Sequence, residues 1–240
     1  MLLLGLDLET TGLDTAQDRI IEIGLVVYDS SADKMLDMVN LLVQQDLASP
    51  EAVKVAAEVA GLSQADLSRR GLPPAEVLSV TADYMAGTAA VVAHNGTLFD
   101  KVLLAVEFKR HGIAMPDKVW IDTCLDLPYP PKVSTRKLTY LAVEHGFMNP
   151  FPHRAIFDVI TMLQVLRQYD VDLALDSAQQ PTLAVQALTN YDQRDLAKAA
   201  GFYWRAERKA WIKAVKANKL EELRAAVKFQ IKVLDGVAVN

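Results

Sequence analysis

Cysteine is nearly absent from this chain: Cys124 stands alone among 240 residues. A single thiol excludes a disulfide framework and a cysteine-built zinc site, and it fits a reducing cytoplasm. Long apolar runs are missing too, and none approaches the roughly 18 residues a membrane-spanning helix needs. The opening Met1-Leu2-Leu3-Leu4-Gly5-Leu6-Asp7 lacks the basic start of a secretory leader and carries an acid within its apolar stretch. It therefore reads as a buried strand. Positive charge is also short, with 25 Lys and Arg against 30 Asp and Glu and a net charge of −5. Taken as a total, that deficit argues against a nucleic-acid partner; its distribution changes the picture. Residues 1–190 hold 14 Lys and Arg against 24 Asp and Glu, whereas residues 191–232 hold 11 against 5. Two descriptions fit equally: an acidic body with a basic tail module, or a small helical domain with a solvated lysine face.

What is present suffices for a folded core, because 51% of the chain is hydrophobic and only 23% is charged. Leu2–Leu8, the β-branched run Ile20–Tyr28 and Lys34–Val43 predict three strands joined as a meander. Pro73-Pro74 opens a helix through Ala86, Ala89–Ala93 is a short buried strand, and Leu98–His111 is a helix stopped by Gly112. Val119–Thr123 predicts another strand, and Lys137–His145 and Ala155–Tyr169 carry helical periodicity. The pattern is α/β: a mixed sheet with helices on both faces. Residues 171–182, polar and ending near Pro181, read as a linker between a domain over 1–170 and a small α+β module over 183–240. Within that module Leu183–Leu188 predicts a strand, Asp192–Ala200 a helix, Tyr203–Val215 a hairpin and Asn218–Phe229 a last helix. No internal repeat is visible.

Three blocks carry chemistry. In Asp7-Leu8-Glu9, side chains alternate along a strand, so both carboxylates share one face. Paired carboxylates repel unless a cation neutralises them, so the pair is either a hydrated sheet edge or a divalent-metal site. The longer string Asp7-Leu8-Glu9-Thr10-Thr11-Gly12 arises by chance in roughly one chain of this length in ten thousand. In His94-Asn95-Gly96-Thr97-Leu98-Phe99-Asp100, a buried strand feeds a helix whose first turn holds Asp100. That acid either complements the helix dipole or presents a carboxylate at the strand ends, where α/β proteins build sites. His94 reads as a structural histidine. In His153-Arg154-Ala155-Ile156-Phe157-Asp158, Asp158 sits on a helix whose Ile156, Ile160 and Leu163 point to a core. His153 lies on the preceding loop.

These blocks, in this order, resemble the DEDDh exonucleases, and the resemblance covers residues 2–168. It implies a ribonuclease-H-like fold, with Asp7, Glu9, Asp100 and Asp158 holding two Mg²⁺ or Mn²⁺ ions and His153 as general base. Hard carboxylate oxygens are the ligands such ions require, and histidine can accept a proton near neutral pH. The implied activity is 3′→5′ hydrolysis of nucleic-acid ends, with 5′-mononucleotides as products and single-stranded DNA or DNA 3′ ends as partners, in DNA repair or replication. Thr10, Asn95 and Phe99, which flank the acidic positions, stand as candidate substrate contacts. One departure concerns the segment Ser49-Pro50-Glu51-Ala52 to Ala60-Gly61-Leu62-Ser63. A histidine usually precedes that glycine in the family, and here it is Ala60, so contact with the terminal nucleotide is expected to differ.

The tail interleaves aromatics and cations in Phe202-Tyr203-Trp204-Arg205-Ala206-Glu207-Arg208-Lys209-Ala210-Trp211. Trp204, Trp211, Arg205 and Lys209 are candidates for holding a single strand by stacking and charge. The same aromatics equally suit the core of a mini-domain. The string is similar to a small C-terminal module of exonuclease X-like proteins. Two other functions remain open at this point: a proofreading subunit held to a polymerase through the tail, and a nucleic-acid-binding protein without turnover. A homodimer is likewise open.

Overall fold

The computed structural model describes residues 1–130, 133 and 135–234. They fall into two compact units, Met1–Leu175 and Asp176–Asn240.

In the first unit, β1 (Leu2–Thr10) pairs antiparallel with β2 (Ile20–Asp29), and β2 pairs antiparallel with β3 (Lys34–Leu42). On the other side of β1 the chain direction changes. Strands β4 (Ala90–Ala93) and β5 (Val119–Asp122) run parallel to it, giving the order β3-β2-β1-β4-β5. Helices α1 (Pro50–Glu58), α2 (Gln64–Arg70) and α3 (Pro74–Ala86) lie between β3 and β4, and α4 (Asp100–Arg110) joins β4 to β5. Helices α5 (Leu138–Glu144), α6 (Ala155–Leu166) and α7 (Val171–Ala178) follow. Helices α1 and α2, not foreseen in the sequence, start at serine caps. Ser49 Oγ accepts from the Ala52 N–H, and Ser63 forms a reciprocal capping box with Asp66.

Strand alternation divides β1 between two faces. Leu4, Leu6 and Leu8 enter a core with Val77, Leu78 and Met85 of α3 and Leu103, Leu104 and Phe108 of α4. The odd positions face α6. A Cβ on Gly5 would stand 2.6 Å from Val159 Cγ1, and one on Gly24 would stand 2.5 Å from the Ala155 carbonyl carbon. Gly24 is the cross-strand partner of Asp7. Bare backbone at these two points lets the start of α6 lie against the sheet beside the β1 carboxylates.

In the second unit β6 (Thr182–Leu188) lies between β8 (Ala210–Lys216) and β9 (Gln230–Leu234), with β7 (Tyr203–Arg205) at the edge beside β8. All these pairings are antiparallel. One face carries Val185, Ala187 and Val215 against Ala197 of α8 (Arg194–Ala199), Phe202, and Leu220 and Leu223 of α9 (Leu220–Ala226).

Two sequence expectations need correction. The stretch 171–182 is largely helical: α7 occupies Val171–Ala178, and the Asp170 carboxylate caps it by accepting from Asp172 N at 2.9 Å and Leu173 N at 3.1 Å. Its polar composition masks apolar residues at helical spacing, with Ala174 buried. The final helix ends at Ala226, three residues short of Phe229, and β9 replaces any continuation. Phe229 instead turns inward, its ring 5.6 Å from that of Phe202. Residues 235–240 of the tail lie outside the described residues. Among the described residues no helix is long and apolar enough to cross a membrane.

Gly24→Ala tests the close approach of α6. The added methyl meets backbone that cannot rotate away, so we expect a loss of about 1–3 kcal/mol or more, as for an overpacked core. Urea denaturation at constant m-value measures it.

Candidate active site

Strand β1 ends with Asp7 and Glu9 on the face that α6 covers. Opposite Glu9, its cross-strand partner Glu22 adds a third carboxylate to that face. The loop after β4 brings a fourth. Gly96 turns so tightly that a Cβ would stand 2.2 Å from Ala93 Cβ, and it faces the Asp100 carboxylate. Asp100 begins α4 and is buried, and the backbone N–H groups of Asp100 and Leu8 favour its charged form against the effect of burial. It lies close enough to Asp7 and Glu9 to raise both. Asp158, in the first turn of α6, is the fifth. Its oxygens accept from Asn149 Nδ2 at 2.6 Å and from the His153 backbone N–H at 2.8 Å.

His153 is exposed and takes a left-handed backbone, φ 63°, which few non-glycine residues adopt. The bond to Asp158 holds it there. The sequence placed His153 on the loop before α6, and the fold brings that loop beside the carboxylates. A ring nitrogen of His153 and one oxygen each of Glu9 and Asp158 all lie within 4.8 Å of one another, a set that could hold a metal ion.

The charges respond as crowding requires. Burial, then Asp100, Asp158, Glu9 and Glu22, hold the Asp7 carboxyl well above the ordinary range. Glu9 is pushed up to about 8 by burial and by Asp158, Glu22 and Asp100, partly offset by Arg154. Burial raises Asp100 to about 7 and also raises Asp158. Protein cations here are few. Arg154 is committed to Glu22, with Nη2 to Oε1 at 2.7 Å and Nε to both oxygens at 3.1 and 3.2 Å. Buried carboxylates this close, short of positive charge and offering hard oxygen donors, fit divalent cations. Asp7, Glu9, Asp100 and Asp158 are the residues that would hold them.

Several supporting residues were not singled out in the sequence. Glu22 is fully buried and also accepts from Asn40 Nδ2 at 2.7 Å and from the Ala155 N–H at 3.3 Å. With Arg154 it pins the residues between His153 and α6. The run Ile20–Tyr28 drew attention only for its β-branched content, although an acid inside it was the available signal. Asp122 at the end of β5 accepts from the N–H groups of Asn95, Thr97 and Cys124 and from Thr97 Oγ1, which fixes the loop leading to Asp100. His94 is structural: its ring bonds Thr123 Oγ1 and the Arg136 carbonyl, each at 2.7 Å.

Among the remaining candidates, Thr10 Oγ1 donates to the Gly12 carbonyl at 2.7 Å, which stiffens the turn after Glu9. Asn95 is exposed with φ 60°, and Phe99 is half-buried against the core. Ala60 is buried with Ile21, Leu42, Ala56, Leu62 and Leu67. Trp204, Trp211, Arg205 and Lys209 belong to the second unit. There Trp211 packs against the module core, whereas Trp204 is half-exposed.

Known proteins match this geometry. Residues 4–166 match the ribonuclease T-type family described as exonuclease, and residues 183–233 match a domain of unknown function. Human three prime repair exonuclease 2 is 34% identical over 138 residues, which are 49% of this chain and 57% of that protein. An oligoribonuclease of Halorhodospira halophila strain DSM 244 / SL1 is 50% identical over 44 residues, 18% of this chain and 24% of that one. The match thus spans little more than half of the first relative and about a quarter of the second. The nuclease domain of 3′hExo, a DEDDh family member bound to rAMP, superposes with a TM-score of 0.56 at 17% identity. That superposition covers 70% of this chain and 90% of the other, and it shows a shared fold.

Two measurements test the electrostatics. Because Glu9 and Asp100 are raised, the folded protein retains protons that the unfolded chain has already lost. Without metal, stability should therefore fall as pH rises from the ordinary carboxylate range, about 4, through about 8. Added Mg²⁺ or Mn²⁺ should raise the melting temperature more at pH 8 than at pH 5, and equal shifts at both would reject the cation site. Separately, Arg154→Ala strands Glu22 in the interior and should cost roughly 3–5 kcal/mol. Adding Glu22→Gln should restore part of that loss, which a double-mutant cycle by urea denaturation would read.

Proposed function

The chain belongs to the ribonuclease T-type exonuclease family, and from that premise we propose that it hydrolyses phosphodiester bonds one at a time from DNA 3′ ends, releasing nucleoside 5′-monophosphates. The convergence of Asp7, Glu9, Asp100 and Asp158 beside His153 carries this reading. Asp7, Glu9, Asp100 and Asp158 would hold two Mg²⁺ or Mn²⁺ ions, which would supply positive charge against the phosphodiester. The chain itself does the rest. Its carboxylates fix where that charge stands, and buried backbone on β1, α4 and α6 keeps them there. His153, exposed at the rim and close to Glu9 and Asp158, takes the proton as water oxygen attacks phosphorus. The bond from phosphorus to the 3′-oxygen of the neighbouring nucleotide breaks, and that oxygen takes a proton from solvent as it leaves.

DNA is favoured by the longer match, to a protein named for the repair of three-prime ends. The oligoribonuclease match is confined to 44 residues. Digestion of 3′- and 5′-labelled DNA and RNA, single- and double-stranded, with Mg²⁺ or EDTA, tests both parts. We expect 5′-mononucleotides from the 3′ end, faster on DNA, and none in EDTA. Asp158→Ala should lower kcat by several orders of magnitude. His153→Ala should lower it roughly 10²–10⁴-fold, the usual contribution of a general base. Undiminished turnover in EDTA rules out the mechanism, and faster RNA digestion rules out the substrate.

A further inference from the structure

The second unit holds an aromatic and cationic surface that hydrolysis does not use. Strand β7, three residues long at the sheet edge, is Tyr203-Trp204-Arg205. Alternation sends Trp204 to one face and Tyr203 and Arg205 to the other. Tyr203 is 70% exposed and Trp204 52% exposed. Trp204 stands opposite Trp211 of β8 in register, with the rings edge-to-face at 5.8 Å. Because Trp211 packs into the module core, it props the exposed ring of Trp204. The connection to β8 is a tight turn over Ala206–Arg208 that closes on Lys209 in a left-handed conformation, φ 48°. The turn therefore places Arg205, Arg208 and Lys209 around the tip of the hairpin. Among the described residues their side chains form no ion pair or hydrogen bond. Lys213, by contrast, is occupied: its Nζ donates to the Ala200 carbonyl at 2.8 Å.

We propose that β7 and the β7–β8 turn bind single-stranded nucleic acid, with Trp204 and Tyr203 as stacking platforms and Arg205, Arg208 and Lys209 pairing with phosphates. Exposed rings cost free energy in water, and a base offers each a π-face, whereas paired bases in a duplex are already stacked. Cations at a hairpin tip suit a polyanion. A protein interface favours aromatics and Arg but is depleted in Lys at its centre. Local charge strengthens the choice, since residues 191–232 carry 11 basic residues against 5 acids and so favour a polyanion. The inference draws on the nuclease reading only for the kind of partner.

Binding of a fluorescein-labelled oligothymidylate of about 20 nucleotides to the full chain in EDTA tests it by anisotropy. Anisotropy reads binding rather than turnover, so the outcome does not depend on whether the catalytic reading holds. Trp204→Ala should raise Kd roughly 5- to 150-fold, the range for losing one stacked base. Trp204→Phe should retain most of the affinity. Arg208→Ala with Lys209→Ala should flatten the slope of log Kd against log salt by about 0.7 for each phosphate no longer neutralised. If Trp204→Ala remains folded by circular dichroism and binds as the wild type does, the proposal is wrong. It is equally overturned if Trp204→Ala unfolds the module and the Arg208, Lys209 variant keeps the wild-type salt slope. Either result would return this surface to a protein partner.

Discussion

The closeness of one helix to two strands is the constraint on which the rest of the site depends. Helix α6 can bring Asp158 to the end of β1 only if its first turn lies almost on the sheet. Gly5 and Gly24 leave that space, and a methyl at either would collide with α6 side chains or backbone. The other acids take their places around this approach. Asp7 sits beside Gly24 in register, Glu9 beside Glu22, and Asp100 comes close enough to raise both Asp7 and Glu9. Four carboxylates separated by up to 151 positions in the chain converge because an antiparallel meander, a parallel crossover and a late helix meet at one strand end.

Such convergence works against stability. Like charges in a buried pocket repel, and the folded protein answers by holding protons that free carboxylates would release. Arg154 pairs directly with Glu22 and only partly offsets the rise at Glu9, and in pairing it becomes part of the support. Its guanidinium anchors the residue immediately after His153, while Asp158 holds the His153 N–H itself. One acid of the cluster is thus paired with an arginine, and the other four are the candidates for holding a cation. The local strain of a left-handed histidine is sustained by two independent tethers, which is how a functional side chain keeps an unfavourable backbone.

Most of this was readable in the sequence, for identifiable reasons. Strands β1, β2 and β3 announce themselves by dense apolar and β-branched runs, and α4 and α6 by helical periodicity with glycine or proline nearby. The five candidate site residues, Asp7, Glu9, Asp100, His153 and Asp158, stand in short ordered blocks, so spacing exposes them. The supporting residues do not. Glu22 and Arg154 are 132 positions apart, and no local pattern says that an acid inside a hydrophobic strand will find an arginine after a loop. Asp122 is similar, since its role is to accept from a loop 25 to 27 residues upstream. Elements were missed where polarity outweighed periodicity. Helix α7 looks like a linker because only one side of it is apolar, and β9 follows a helix so closely that the two apolar patterns merge.

The tail poses a different problem, because one composition fits both a core and a binding surface. The pairing of β7 with β8 separates the two uses by register. Trp211 lies one strand further in, where Ala187 flanks it and helix residues cover it, and it becomes core. Among the described residues no strand pairs on the far side of Trp204, because β7 is the edge strand. An edge strand ordinarily risks pairing with another chain, and short length together with charge are common defences. Here the strand has three residues, ends on Arg205 and runs into the turn that carries Arg208 and Lys209. The features that guard this edge against another strand leave its rings and charges free for a ligand without a β backbone. A single nucleic-acid strand meets that description.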